Sequence, residues 1–189
     1  MQVLKEEVRN QILKSAERQF LKNGFLDAKT RDIAKEAKIS VSNLYLYYEN
    51  KEMLFYAIAD PIFNHFMTDL NKFLDHADRQ SDLNENIGLG IGKLISGCKD
   101  EFILISEKSK GTKYESFRST LTTELTQHIA DQLRDDLNEK AILARVFANS
   151  LMVGITLLAE SCENEDDLNE CLQSFVNYHA EGIRQFVKN

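Results

Sequence analysis

Tryptophan is absent from this chain of 189 residues, proline occurs once and glycine only eight times. Sandwiches and barrels need a breaker at every reversal, so this shortage argues against a turn-rich β architecture and leaves long helices as the economical reading. No uninterrupted apolar run approaches the roughly 20 residues of a bilayer span; Phe102-Ile103-Leu104-Ile105 is typical of what is present, and membrane anchoring is not expected. The start of the chain carries Lys5, Glu6, Glu7 and Arg9 without the apolar stretch of a secretory signal. The three cysteines, Cys98, Cys162 and Cys171, have no paired spacing. That argues against a disulfide framework and suits a reducing cytoplasm.

What is present supports a folded core: 43% of residues are hydrophobic and 28% charged, enough apolar surface for one or two small domains and too much for wholesale disorder. The net charge of −7 is at face value wrong for a nucleic-acid partner. The average hides a split. Residues 1–55 hold ten Lys/Arg against eight Asp/Glu, whereas residues 56–189 hold 13 against 22. A mildly basic head on an acidic body is compatible with docking DNA through one end, because phosphate attraction is local on the ~8 to 10 Å scale of the Debye length.

Between Leu4 and Lys22 the residues Val8, Ile12, Leu13, Ala16 and Phe20 recur three or four apart, the stripe of an amphipathic helix, which Asn23-Gly24 should end. A short second helix is expected from about Arg31 to Ala37, capped by Thr30 and burying Ile33, Ala34 and Ala37. Lys38-Ile39 turns the chain, and Ser40 is placed to cap a third helix running to about Tyr48, with Leu44 and Tyr48 facing the core. Asn50 should cap a fourth. Two short helices joined by about three residues and packed on a longer one form a helix-turn-helix, whose second helix can enter the major groove. Ser42, Asn43, Tyr45 and Tyr47 supply hydroxyl and amide groups for bases and phosphates, and Val41 or Leu46 can meet a thymine methyl.

Phe20-x-x-x-Gly24-Phe25, Arg31-Asp32-Ile33-Ala34-Lys35-Glu36-Ala37, Ile39-Ser40 and Leu44-Tyr45-x-Tyr47-Tyr48-x-x-Lys51-Glu52-x-Leu54 resemble the DNA-binding domain of the TetR family of transcriptional regulators, over residues 8–55. The resemblance implies that Lys29, Thr30 and Arg31 lie where the second helix meets DNA. It further implies that Val41, Ser42 and Asn43 begin the base-reading helix and that Tyr45, Tyr47 and Lys51 contact phosphates. There are departures: Lys38 stands in place of the usual turn glycine, Lys29 in place of a capping Ser or Thr, Ser42 in place of a frequent glycine and Leu46 in place of a frequent His. The recognition helix carries no Lys or Arg, so bidentate guanine reading falls to Arg31.

Beyond residue 55 the pattern is helical, with breaks expected at Asp60-Pro61, His76 to Asp82, Gly97 to Glu101, Ser109 to Lys113, Asp136 to Lys140 and Cys162 to Asp166. Fourteen of the 19 residues at 141–159 are apolar, so that helix must be covered on both sides. The resemblance implies that the last two long helices pair with their copies in a four-helix bundle, which nominates Phe147, Leu151, Ile155, Leu168, Leu172, Phe175, His179 and Ile183 as dimer contacts. Burial of these residues within one subunit is the alternative. Phe63, Phe66, Phe102, Tyr114, Phe117, Leu121, Met152 and Thr156 are candidates to line an effector pocket.

The expected molecule is therefore all-α: an N-terminal three-helix helix-turn-helix domain, residues 1–50, followed by a helical effector-binding and dimerisation domain, residues 51–189. Its expected partners are a palindromic double-stranded operator, a second copy of itself and a small-molecule effector. Gly88-Leu-Gly90-Ile-Gly92-Lys93 is one residue short of a phosphate loop, and Leu94 stands where Ser or Thr is required. The cysteines and histidines match no zinc spacing and no nucleophile pattern, so neither metal, cofactor nor catalytic residue is expected. A helical enzyme or adaptor with a vestigial helix-turn-helix is the rival reading.

Overall fold

The computed structural model describes residues 2–77, 95 and 97–188. The Gly88 to Leu94 motif lies outside them. The described residues form eight helices and no strand: α1 (Gln2–Asp27), α2 (Thr30–Glu36), α3 (Val41–Tyr47), α4 (Lys51–Ala77), α5 (Lys99–Glu107), α6 (Phe117–Gln132), α7 (Lys140–Ser161) and α8 (Glu165–Arg184). The all-α class expected from the scarcity of breakers is what the structure shows. The described residues divide into two compact units, one drawn from residues 1–65 and 100–115, the other from 66–99 and 116–189.

In the first unit the 3.6-residue period of α1 places Ile12, Ala16 and Phe20 wholly out of water. Gly24 interrupts α1 with φ 73° and ψ 165°, a left-handed backbone that glycine adopts at no steric cost. The interruption turns Phe25 back onto Phe20 and Phe55, whose rings meet edge to face with centroids 5.1 to 5.3 Å apart. Leu44 and Tyr48 of the α3 segment are buried as their spacing required, as are Ile33, Ala34 and Ala37.

Two expectations about boundaries need correction. α2 begins at Thr30, so its N-cap is Lys29, without a side-chain cap; Thr30 uses its hydroxyl elsewhere. Pro61 does not end a helix but lies inside α4. A proline there forfeits one backbone hydrogen bond, and the buried residues on either side, Phe55, Ile58 and Ala59 before it and Phe66 after it, hold the helix through that loss.

In the second unit α6 packs on α7, and α7 on α8. Ala144, Ala148, Ile155 and Ala159 of α7 are fully buried, with Leu168, Leu172 and Val176 of α8 within a percent of it. α7 has the length and mean hydropathy of a membrane span, so the lack of an uninterrupted apolar run did not by itself exclude one. Its buried face is the core of a helical layer, the polar interruptions Arg145, Asn149 and Ser150 being exposed.

Gly154 is where α7 comes closest to α8: a Cβ there would lie 2.0 to 2.7 Å from the ring of Phe175. Gly154→Ala should gain about 1 kcal/mol of helix propensity yet force the Phe175 ring out of its place against His179, where the centroids are 4.6 Å apart. The expected net result is a loss of about 1 to 2 kcal/mol in denaturant unfolding, and a stabilised variant would show that the two helices have slack.

Candidate nucleic-acid interface

The turn between α2 and α3 is set by backbone chemistry. Lys38 sits at φ 55°, the left-handed position that a glycine would fill without strain. The Lys38 N–H donates to Lys35 O at 3.1 Å and the Ile39 N–H to Ala34 O at 2.9 Å, the paired bonds of a Schellman end to a helix. The lysine therefore keeps the turn geometry, at a cost of order 1 kcal/mol. Ser40 then starts α3: its hydroxyl accepts the Asn43 N–H at 3.0 Å and lies 2.9 Å from the Ser42 hydroxyl.

With Leu44 and Tyr48 turned inward, the rest of α3 faces out. Ser42, Tyr45 and Leu46 are exposed, Leu46 to 83%, and Val41, Asn43 and Tyr47 are half-buried. A leucine that open serves no packing within the unit. The Tyr45 and Thr30 hydroxyls lie 3.3 Å apart, joining the start of α2 to the middle of α3. Lys29 and Arg31, exposed beside them, have no ion-pair partner among the described residues. A shallow groove runs between these groups, lined by Ala28, Thr30, Arg31, Val41 and Tyr45.

Behind this face, Glu36 ties α2 to α1 by accepting from Gln19 Nε2 at 2.8 Å and Arg18 Nε at 2.5 Å. These donors hold its carboxyl below the usual range. Arg9 Nε donates to the Tyr48 hydroxyl at 3.4 Å. Asn50 caps α4 as expected, accepting the Met53 N–H at 2.8 Å.

Lys51 also bonds within the unit. Its ammonium donates to the carbonyls of Phe25, Leu26 and Ala28 at 2.6, 3.0 and 3.0 Å and lies 4.6 Å from the centroid of the Phe25 ring. An ammonium has three N–H groups, and all three are engaged within the unit. Lys51 thus closes the open carbonyl end of α1 while also lining the groove. Partial burial pushes its pKa down.

Residues 12–58 match the family model of bacterial regulatory proteins, tetR family. The likeness to that family lies in this N-terminal stretch. It is similar to an uncharacterized HTH-type transcriptional regulator of Haemophilus influenzae, 31% identical over 75 residues that make up 40% of each chain. It is also similar to the uncharacterized HTH-type regulator YdgC of Bacillus subtilis, 26% identical over 69% of this chain and 64% of that one. The matched stretches thus span less than two thirds of these curated relatives. The structure of the ketosteroid transcriptional regulator KstR2 of Mycobacterium tuberculosis superposes with a TM-score of 0.68 at 14% identity, covering 96% of this chain and 95% of that one, a likeness of fold.

The other candidate residues were brought together differently from expectation. Leu151, Ile155, Leu168 and Leu172, nominated as dimer contacts, are at most 6% exposed because α7 and α8 pack on each other through them. Phe147 stacks near Phe186, centroids 5.6 Å apart, and with Ile183 covers the core cluster of Ile129, Leu133, Ala144 and Ala148. Phe175 and His179 form an edge contact within α8. Outside that packing, Ile142, Val146, Val153 and Leu157 on α7 and Tyr178 on α8 are exposed. Steps of four and seven residues were the available signal.

The eight pocket candidates divide between the units. In the first, Phe63 lies 5.0 Å from the Tyr114 ring, whose hydroxyl donates to Asp60 at 2.6 Å, and Phe102 is fully buried. In the second, Phe66 meets Phe117 edge to face at 5.6 Å, and Leu121, Met152 and Thr156 are buried. The Thr156 hydroxyl has no hydrogen-bond partner among the described residues.

Lys51→Ala should leave three carbonyls of the α1 end without their donor and cost about 1.5 to 3 kcal/mol of stability. Amide exchange at residues 25–30 should rise in the DNA-free protein. Unchanged exchange combined with weakened binding to every DNA would return Lys51 to the phosphate-contacting role.

Proposed function

We propose that the protein is a dimeric repressor that holds a palindromic operator and releases it when a small molecule binds the second unit. The observation that carries the reading is the composition of one outward face. Ser42, Tyr45 and Leu46 are exposed and Asn43 half-buried on a capped helix, flanked by Lys29 and Arg31, which have no ion-pair partner among the described residues. These are groups that read base edges and neutralise phosphates, and none of them serves the core. Lys29, Thr30, Arg31, Val41, Ser42, Asn43, Tyr45 and Tyr47 form the proposed interface, with Lys51 positioning it. Such a regulator works in the cytoplasm, where its DNA is.

Dimerisation follows from the outer stripe of α7. Ile142, Val146, Val153 and Leu157 share a face that is about half exposed among the described residues, and each Å² removed from water contributes ~25 cal/mol. Two heads on half-sites also supply the phosphate contacts that one mildly basic head lacks. For the effector, the Phe66, Phe117, Leu121, Met152 and Thr156 set combines apolar walls with one unpartnered hydroxyl. That composition suits a largely apolar molecule with a polar group, in keeping with a structural neighbour named as a ketosteroid regulator.

Selection from a random DNA pool should enrich a palindrome whose binding weakens steeply with salt. Arg31→Ala should cost about 1 to 3 kcal/mol, and Asn43→Ala should relax preference at particular bases. Val153→Glu combined with Leu157→Glu should give a folded monomer in light scattering that has lost specific binding with residues 1–65 untouched. A wild-type monomer that binds its selected site tightly would overturn the dimer, and a pool that enriches nothing would overturn the regulator.

A further inference from the structure

Residues 108–115, between α5 and α6, form no helix, yet their own side chains bind the stretch into one piece. The Ser109 hydroxyl lies 2.7 Å from Ile105 O and 3.0 Å from Tyr114 O. The Thr112 hydroxyl donates to Ser109 O at 2.7 Å and accepts the Tyr114 N–H at 3.1 Å. Ser109, Thr112 and Tyr114 are all buried, and the Gly111 N–H donates to the Glu115 carboxylate at 2.9 Å. A segment whose backbone groups are satisfied internally in this way has little freedom to bend between its ends.

The two ends grip different elements of the first unit. At one end the Lys108 carbonyl accepts the Phe25 N–H at 2.7 Å and Gly111 lies against the Leu26 side chain, so this end holds the segment that leads into α2. At the other end Lys113 and Tyr114 converge on Asp60 of α4. The Lys113 ammonium lies 2.8 Å from Asp60 Oδ1, and the Tyr114 hydroxyl donates to the same oxygen at 2.6 Å. Asp60 immediately precedes Pro61, where α4 lacks one backbone bond, so the clamp closes where the helix is least able to hold itself.

We infer that Asp60 is a positioning residue for the proposed DNA face: it anchors residues 108–115, and through them fixes the segment that presents Lys29, Thr30 and Arg31. The inference rests on the reading of that face as a DNA interface. Asp60 bonds to Lys113 and Tyr114, and neither is a proposed DNA contact, so its action is indirect. Its charge gives the inference a sign that can be checked. A carboxylate in the same unit as the interface repels phosphate, and by electrostatics alone its removal tightens DNA binding. Removal of an anchor loosens the cations of α2 and weakens binding. The two roles therefore move affinity in opposite directions.

The test compares the full-length wild type with Asp60→Asn and Lys113→Met, each verified as folded by circular dichroism. In the DNA-free protein, amide exchange at Phe25 should rise in both variants, because its bond to Lys108 O persists only while the far end of the stretch is held. Lys140→Met, which removes an ion pair with Asp135 in the second unit, should leave Phe25 unchanged. On the duplex that the wild type enriches from a random pool, both variants should bind about three- to thirtyfold more weakly. The double variant should bind no more weakly than the weaker single one, since the two side chains act as one unit. Unchanged exchange at Phe25, or tighter binding by Asp60→Asn, would overturn the inference. A wild type that enriches no duplex would remove the interface itself, a failure told apart by Phe25 exchange that still responds to Asp60.

Discussion

One ammonium group holds the DNA-facing part of the first unit in place. The last residues of α1 present the open carbonyls that every helix end presents, and Gly24 has already broken the axis one turn earlier. Without a donor, the elbow from Phe25 to Ala28 would have only solvent to satisfy it. Lys51, reaching back from the first turn of α4, donates to three of its carbonyls and caps the face of Phe25. Lys29 and Arg31 follow that elbow directly, so the position of the cations is inherited from it.

The same elbow is held from a second side. The Phe25 N–H donates to Lys108 O at 2.7 Å, and Gly111, at φ 84°, lies so close beneath Leu26 that a Cβ would meet it at 2.7 Å. The stretch that provides these contacts is itself bonded to α4: the Lys113 ammonium pairs with Asp60 at 2.8 Å and lies 4.4 Å from the Tyr56 centroid, and the Lys113 N–H donates to the Tyr56 hydroxyl at 3.1 Å. Within the first unit, α4 and residues 108–115 thus form one frame around the segment leading into α2. A displacement of either must be absorbed by three short contacts or passed on to Lys29, Thr30 and Arg31. Packed groups with directional bonds resist the first course.

Local signals were legible in the sequence and shared surfaces were not. Ser40, Asn50, Gly24 and the left-handed Lys38 act through their own neighbours, so caps and turns follow from residue type and position. The buried stripes of α1 and α3 follow from period alone. The bonds of Lys51 were not legible, because a cation near such a helix has two uses, phosphate or helix end, and only three-dimensional proximity to carbonyls 23 to 26 residues away shows the second. The burial of Leu151, Ile155, Leu168 and Leu172 within one subunit was illegible for the same reason. A helix apolar nearly all round offers one face to its own subunit and another to solvent, and periodicity identifies both without saying which is which. Packing resolves it, turning Leu151 and Ile155 inward and Val153 and Leu157 outward. Pro61 erred in the other direction, a local rule overridden by burial on both sides.

The division of labour between α2 and α3 follows from where the charge sits. α3 has no Lys or Arg, so its outward groups are neutral: three hydroxyls, an amide and the apolar Val41 and Leu46. Neutral groups release no counterions and leave the salt dependence of binding untouched. Lys29 and Arg31, at the start of α2, supply that term from a different helix, joined to α3 by the Thr30 and Tyr45 hydroxyls. In the proposed interface, affinity and sequence preference would rest on separate side chains, with the Thr30 to Tyr45 contact setting their register. Reading by an amide and an apolar side chain favours adenine and thymine edges, which leaves Arg31 as the group best suited to guanine, displaced from the rest by the width of the groove between the two helices.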